Sequence, residues 1–471
     1  MERESAYRDT FNERKASNGM KKLLKRLLPI ELFKALVPTY HLLKAMFLQL
    51  KAGRPARSMQ VIGVTGTDGK TTTSTLITNM LRMSGKKVAM MTTISVDYGD
   101  GKGPQPNPSR LTTFGAERLV SALQAMKKQG VEILVLEVTS HALHQNRVWG
   151  IPFDIAVMTN IGHEHLDYHK TFENYRDAKR RLFKHANKNR AGKRIGILNA
   201  EDSSAELFAS DVKNPITYGV EKGDLRATNL KLTPSGSRYT AEIDGDSYEI
   251  DCHLPGSFNV YNSLAAVGVG RAVGLSSSEI ESGIAGLEQV EGRMTRVDEG
   301  QDFAIIVDYA HTPESFDKLF AEVRPLTDKR LISVFGSAGR RDEAKRAQQG
   351  KIAGKWCDIV IVTEEDDRDI DGEEIMRQIV GGAEESGKIL DKDVLMVHKR
   401  EEAVQMAINA AKPEDIVMLL GKGHEKSILY NGPKAAELRH LPQDDGDERR
   451  VLKRDYDEVK AAKAALKLLN K

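Results

Sequence analysis

The sequence predicts an α/β protein: a central parallel-sheet domain of the P-loop type with a small accessory antiparallel sheet, then a Rossmann-like α/β C-terminal domain. Short apolar runs alternate with amphipathic stretches from about residue 58 onward, the pattern of a parallel sheet covered on both faces. From Ala227 to Cys252 the pattern changes to alternation punctuated by Pro-Ser-Gly and Asp-Gly-Asp turns, which reads as an antiparallel insertion. A second α/β series starts after Arg293, and 471 residues are too many for one typical domain.

Taken in order, residues 1–58 read as a short basic helical segment, 59–293 as the central domain and 294–471 as the C-terminal domain. Met1 to Gly19 is polar and charged and lacks the apolar core of a signal peptide, which points to the cytoplasm. Leu32 to Leu50 is largely apolar and follows Lys21, Lys22, Lys25 and Arg26, but Pro38, Lys34 and Lys44 interrupt it. A spanning helix is a poor fit. Residues 21–50 suit either a helix packed on the next domain or a basic amphipathic helix in peripheral contact with a membrane.

Strands are expected at Val61 to Val64, Ile133 to Glu137, Ile155 to Thr159 and Ile195 to Leu198 in the central domain. In the C-terminal domain they are expected at Ala304 to Val307, Leu331 to Phe335, Ile359 to Val362, Val394 to Val397 and Ile416 to Leu420. The charge-dense tail from Asp444 to Lys471 reads as ending in a solvated helix. A net charge of +3 calls for no nucleic acid, and Cys252 and Cys357, far apart and outside any CxxC spacing, argue against disulfides or structural zinc.

The strongest local signal is Gly63-Val-Thr-Gly-Thr-Asp-Gly-Lys-Thr-Thr-Thr73, set between the first strand and a helix expected to reach Ser84. Gly66 and Gly69 let backbone amides curl round phosphates, the helix N-terminus offers its positive dipole end, Lys70 neutralises oxygen charge and Thr71 can hold Mg²⁺. Thr67, Asp68 and Thr72 complete the ATP-binding set. Val64 stands where a strict Walker loop has glycine, so the loop is a variant, and the plain alternative is a glycine-rich turn without nucleotide. At the next strand ends come Glu137-Val-Thr-Ser-His-Ala-Leu143 and Asn160-Ile-Gly-His-Glu-His-Leu-Asp-Tyr-His169. Carboxylate and imidazole at adjacent strand ends beside a phosphate loop suit divalent-metal coordination, although either residue alone would read as structural.

These motifs together resemble the Mur ligases of peptidoglycan synthesis, with Asp68 where the family loop has Asn. Asn199-Ala-Glu-Asp202, Gly256-Ser-Phe-Asn-Val-Tyr-Asn262, Gly292-Arg293, Asp308-Tyr-Ala-His-Thr-Pro313 and Gly421-Lys-Gly-His-Glu425 follow in the family's order, so the resemblance covers about residues 59–430. It implies an ATP-dependent, ADP-forming amide ligase that joins an amino acid to a muramoyl-peptide carboxylate through an acyl-phosphate, as a monomeric enzyme of the cytoplasm. It further implies that Lys70, Glu137, His165 and Lys179 are catalytic, with Lys179 carbamylated, and that Thr71, Glu137, His165 and the carbamate serve two Mg²⁺ sites. Asn262, Arg293, Asp308 and His311 are implied to contact ATP. Without the family match, Lys179 would read as a solvated lysine on a basic helix.

Within the family the chain is most similar to the branch adding the third peptide residue. There Thr112, Thr113, Thr139, Gln145 and Arg147 are implied to hold the acceptor, and Arg341, Glu365, Asp366, Arg368, Gly421 and Glu425 the incoming amino acid. The family's Asp-Asn-Pro-Arg loop reads Glu365-Asp-Asp-Arg368 here. An arginine fork favours diaminopimelate, whose extra carboxylate lysine lacks; the alternative is Arg368 pairing with Asp366 or Asp369 on the surface. The 58 residues before the loop domain show no strand pattern and do not match the uridine-binding domain that opens this branch, leaving a UDP-linked or a lipid-linked acceptor open. Rival readings are a folylpolyglutamate-synthetase-like ligase and a P-loop ATPase that hydrolyses ATP without ligation.

Overall fold

A computed structural model describes residues 30–107, 109, 111–233, 235–340, 343–368, 370–431 and 451–469. The chain forms two compact units, the first built from residues 1–228, 240–249 and 261–286 and the second from 229–239, 250–260 and 287–471.

The first unit opens with helix α1 (Ile30–Lys51), after which the chain alternates strand and helix. The elements are β1 (Gln60–Thr65), α2 (Lys70–Met83), β2 (Val88–Met91), β3 (Ser95–Asp97), β4 (Gln105–Pro106), α3 (Ala116–Lys128), β5 (Ile133–Glu137), α4 (Ser140–His144) and β6 (Phe153–Met158). They continue with α5 (Leu166–His169), α6 (Phe172–Lys188), β7 (Ile195–Asn199), α7 (Ala205–Ala209), β8 (Asn214–Gly219), β9 (Leu225–Thr233), β10 (Gly236–Ile243), β11 (Asp246–Cys252), α8 (Phe258–Val273) and α9 (Ser277–Ala285), of which residues 229–239 and 250–260 count to the second unit. One sheet runs β11-β10-β9-β8-β7-β6-β1-β5-β2-β3-β4. β1 lies parallel between β5 and β6, with Val64 opposite Glu137 on one side and Val157 on the other. β1 and β5 therefore end side by side, which is where an open parallel sheet gathers ligands. The strands expected between Ala227 and Cys252 extend this sheet at its edge. Asp244 and Gly245, both with positive φ, supply the tight turn between β10 and β11.

α2 shows how the sequence sets the site. Gly69 adopts φ 77° at the N-cap, a conformation that costs glycine little, and the helix then runs from Lys70 with Leu76, Ile77, Met80 and Leu81 buried. The loop's amides are thus left pointing out of the helix start.

The second unit holds β12 (Thr295–Arg296), β13 (Ala304–Asp308), α10 (Pro313–Val323), β14 (Leu331–Phe335), α11 (Ala344–Trp356), β15 (Ile359–Val362), α12 (Gly372–Glu385), β16 (Val394–Met396), α13 (Arg400–Ala410), β17 (Ile416–Leu420), β18 (Ser427–Asn431), β19 (Val451–Asp455) and α14 (Glu458–Leu469). Its main sheet runs β12-β13-β17-β14-β15-β16, parallel except at β12, and β18 pairs with β19. Two apolar layers cover it: Phe316, Phe320, Val360 and Ile379 belong to one, Val307, Ile361, Val404 and Leu419 to the other.

The tail corrects one expectation. α14 is not a solvated helix: Ala462, Ala465 and Leu466 join the second layer, and Glu458 is fully buried. Spacing of i, i+3, i+4 puts those three on one face, leaving the lysines outward. Residues 444–450 of the tail, and 21–29 of the N-terminal segment, lie outside the described residues. Cys252 and Cys357 are buried, free thiols.

Candidate active site

In the first unit the phosphate loop is braced by the neighbouring strand end. Thr67 N donates to Asn160 O (2.8 Å), Asp68 N to Asn160 Oδ1 (2.9 Å), and the Thr159 hydroxyl to Asp68 O (2.6 Å). A Cβ on Gly66 would meet Thr159 Oγ1 at 1.8 Å, and one on Gly69 would meet Asn262 Oδ1 at 2.4 Å. Both glycines are there because their surroundings close in, the fit expected of a cradle whose backbone must approach a polyphosphate. Asn262 also accepts from the Thr73 hydroxyl (3.1 Å), so this residue sits against the loop. Lys70 curls back, its Nζ donating to Thr67 O at 2.6 Å.

Glu137, at the end of β5, faces that helix start. Its Oε2 accepts from the Thr71 hydroxyl (3.0 Å) and Thr93 N (2.9 Å), and its Oε1 from the Thr93 hydroxyl (3.0 Å). Adjacent oxygens around an octahedral Mg²⁺ lie about 2.9 Å apart, so the Thr71 hydroxyl and Glu137 carboxylate match two neighbouring positions of such a shell. The Thr93 hydroxyl also lies 3.0 Å from that of Thr112; Thr113 donates to Glu137 O (2.9 Å) and its hydroxyl accepts from Thr139 N (3.1 Å). Arg147 forks onto Gln145 Oε1 (2.8 and 2.6 Å) and reaches Thr113 O (3.3 Å), while Gln145 donates to the Tyr168 hydroxyl (3.1 Å). The five residues expected to hold the acceptor are therefore brought together beside Glu137.

Lys179 is buried on α6, not solvated. Its Nζ donates to Gly66 O at 2.5 Å and stands 4.7 Å from the Tyr175 ring centroid. Burial, reinforced by the Lys70 charge, lowers its pKa to about 7. An amine half-deprotonated near neutral pH and aimed at the phosphate loop is chemically poised to react. His165 heads α5 with φ 55°, its ring 4.6 Å from that of His141 and its Nε2 3.6 Å from Glu164 Oε1.

The sequence reading missed Thr93 and Tyr175. The Tyr175 hydroxyl joins Thr67 Oγ1 (2.9 Å) and donates to Glu164 Oε2 (3.1 Å), so it bridges the loop to the His-Glu-His segment. Its place four residues before Lys179 on one helical face was the available signal. Thr93 had only its position in a Thr-Thr pair after β2.

The second unit holds two further groups. Asp308 accepts from Met294 N (2.8 Å) and Ala310 N (2.7 Å), and burial raises its pKa. Arg293 lies over the Tyr309 ring at 5.0 Å, and that ring stacks within 4.8 Å of His311 and 4.7 Å of His424. In the other group Lys422, buried, pairs with Asp366 (2.9 Å) and Glu425 (2.5 Å). Burial raises the pKa of Glu425, whereas Lys422 keeps its proton because Asp366 and Glu425 outweigh burial. Glu365 Oε2 is buried without a hydrogen-bond partner, and a Cβ on Gly421 would meet it at 2.6 Å. Arg368 is carried on the same loop with φ 59°, its N bonded to Leu429 O (2.9 Å). Arg341 lies outside the described residues.

A phosphate cradle with a hydroxyl–carboxylate pair at a strand end defines a nucleotide-using α/β enzyme. Residues 64–270 match the Mur ligase middle domain and residues 292–423 the Mur ligase, glutamate ligase domain. A UDP-N-acetylmuramyl-tripeptide synthetase of Roseiflexus sp. (strain RS-1) is 43% identical over 390 residues, covering 80% of this chain and 76% of the relative. A UDP-N-acetylmuramoyl-L-alanyl-D-glutamate--2,6-diaminopimelate ligase of Geobacillus kaustophilus (strain HTA426) is 40% identical over 379 residues, covering 79% and 76%. A solved structure of a ligase with that same name superposes with a TM-score of 0.61 at 28% identity, covering 93% of this chain and 83% of that one. Mycobacterium tuberculosis folylpolyglutamate synthase complexed with ADP gives 0.66 at 16% identity over 86% of this chain and 95% of its own, a likeness of fold alone. The chain belongs to the Mur ligases. It is accordingly an ATP-dependent, Mg²⁺-using ligase that forms peptide bonds.

Proposed function

We propose that this enzyme adds meso-diaminopimelate to a UDP-N-acetylmuramoyl-dipeptide in the cytoplasm, working as a monomer with residues 59–293 as ATP domain and 294–471 as amino-acid domain. The observation that carries the reading is the Glu365, Asp366, Lys422 and Glu425 cluster, in which acids outnumber the base and whose Glu365 and Asp366 share a loop with Arg368. The distal end of diaminopimelate bears both an ammonium and a carboxylate, so it needs an acid and an arginine together. Two relatives at 40% and 38% identity carry that amino acid in their names.

The acceptor carboxylate, held by Thr112, Thr113, Thr139, Gln145 and Arg147, attacks the γ-phosphate of ATP and displaces ADP, giving an acyl-phosphate. Lys70 and the loop amides from Gly66 to Thr72 stabilise charge spreading over the phosphoryl oxygens, and Asn262, Arg293, Asp308 and His311 bind the nucleotide. Bound Mg²⁺ supplies Lewis-acid screening of the phosphates. Thr71, Glu137, His165 and a carbamate on Lys179 would hold it. The deprotonated Lys179 amine is the form that takes up CO₂, and the product exchanges a cation beside the loop for an anion. The amine of the incoming residue then attacks the acyl carbon, phosphate leaves with the C–O bond broken, and the amine proton passes to solvent or a nearby base.

Incubation with ATP, Mg²⁺ and a panel of acceptors and amino acids, read by product mass, tests this. A product heavier by one diaminopimelate residue on the UDP-linked acceptor is expected. Preference for lysine, or ligation only of a lipid-linked acceptor, would overturn the substrate assignment; phosphate release indifferent to acceptor and amino acid would overturn the ligation itself.

A further inference from the structure

α1 is fastened to the first unit along one face and bare along another. Ala45 and Gln49 are buried, Gln49 Cγ lies 3.3 Å from where a Cβ of Gly150 would stand, Lys44 pairs with Glu117 (2.7 Å), and Asn146 donates to Pro38 O (3.5 Å). On the opposite side Leu43, Phe47 and Leu50 are 61%, 63% and 55% exposed. At about 100° per residue these three fall within roughly 60° of arc, one continuous apolar stripe. Large apolar side chains scattered singly need no explanation, but three in line on successive turns do.

Charge identifies what covers the stripe. Between residues 20 and 51 the sequence carries Lys21, Lys22, Lys25, Arg26, Lys34 and Lys51, besides Lys44 whose charge Glu117 already pairs, against the single acid Glu31. Among the described residues no helix is long and apolar enough to cross a membrane. A cationic sequence segment that includes a helix with an exposed apolar stripe and no spanning capacity matches an anionic lipid surface, into which the stripe inserts while the basic residues meet headgroups. A second protein copy would have to accept the same positive charge on itself, which opposes pairing.

We propose that α1 is a peripheral docking helix for an anionic membrane surface. Its fastening residue Asn146 lies between Gln145 and Arg147, so docking would set the acceptor-holding part of the first unit close to the lipid. That last clause rests on the proposed acceptor site; the docking itself does not.

Sedimentation of the full chain with vesicles of phosphatidylcholine, alone or mixed equally with phosphatidylglycerol, tests the proposal. Binding to the anionic vesicles alone, reversed by raised ionic strength, is expected. Leu43→Ser/Phe47→Ser/Leu50→Ser should weaken it by about tenfold or more, as should Lys21→Gln/Lys22→Gln/Lys25→Gln/Arg26→Gln, with thermal unfolding unchanged. Absence of binding, equal binding to neutral vesicles, or a dimer that the serine variant converts to monomer would each overturn it. Because vesicle binding is read without substrates, its failure is distinct from a failure of the ligase assignment.

Discussion

Thr71 Oγ1 donates to Glu137 Oε2 across 3.0 Å, joining the first turn of α2 to the end of β5. The two residues are 66 positions apart in sequence and meet because β1 and β5 are parallel neighbours whose ends coincide. We propose that this pair equips the phosphate loop for a divalent metal, since a hydroxyl and a carboxylate are both hard oxygen donors. Glu137→Ala should therefore raise the Mg²⁺ concentration needed for half-maximal ligation by at least about 100-fold. A Mg²⁺ titration of ADP release checks this; an unchanged midpoint would remove Glu137 from the metal site.

Lys179 yields a prediction with a sign. Its folded-state pKa, about 7, lies below the ordinary 10.5, so between those values the unfolded chain binds a proton that the folded chain does not. Stability therefore rises with pH across that window, and below about pH 7 the full burden of a buried ammonium is felt. In CO₂-free buffer Lys179→Met should stabilise the protein at pH 7 by about 2 kcal/mol after loss of the Gly66 hydrogen bond, and the gain should fade toward pH 10. The same variant should lose ligation by several orders of magnitude. Urea unfolding at both pH values, beside an activity assay, separates the two effects.

Gly66→Ala tests the cradle. With φ 154° and a new Cβ 1.8 Å from Thr159 Oγ1, the alanine variant must displace either the loop or the β6 end that braces it. Nucleotide affinity should fall at least tenfold, read by calorimetric titration with ADP, while Gly381→Ala, at a helical glycine with open space around it and no positive φ, should leave affinity intact.

Most of this architecture was legible because apolar runs of four to six residues bounded by glycine or polar turns have few alternatives to a buried parallel strand. β5 is found at Ile133–Glu137, as the pattern alone indicates, whereas β6 begins at Phe153, where it pairs with Val61, two residues before the expected Ile155 because polar Asp154 interrupts the apolar run. The loop and Glu137 were visible as motifs, whereas Lys179 stood out only through the family resemblance. Thr93 was not visible, since its role comes from strand order: β2 is hydrogen-bonded to β5, and nothing in a Thr-Thr pair announces that neighbour; Tyr175 offered only its helical spacing from Lys179. The tail misled for a related reason. Three lysines spaced along α14 suggest a solvated helix, and the partner of Glu458 is a residue 58 positions earlier.

That partner is Arg400, and both side chains are fully buried in the ion pair at 2.8 Å. Burial opposes the charge on Arg400, but Glu458 more than restores it, so the pKa is raised. Arg400 also donates to Glu364 O (3.2 Å) and Leu420 O (2.6 Å), the residues just before Glu365 and Gly421. One guanidinium thus ties together the two segments that carry the proposed amino-acid site, and the C-terminal helix neutralises it. Glu458→Ala should destabilise the protein by about 3–5 kcal/mol, because the arginine is left buried and unpaired, whereas Arg400→Met/Glu458→Leu should cost clearly less. Arg400→Lys, which keeps the charge without the fork, should raise the KM for the amino acid more than it lowers kcat and leave the KM for ATP unchanged. Equal changes in both KM values would reduce Arg400 to a purely structural residue.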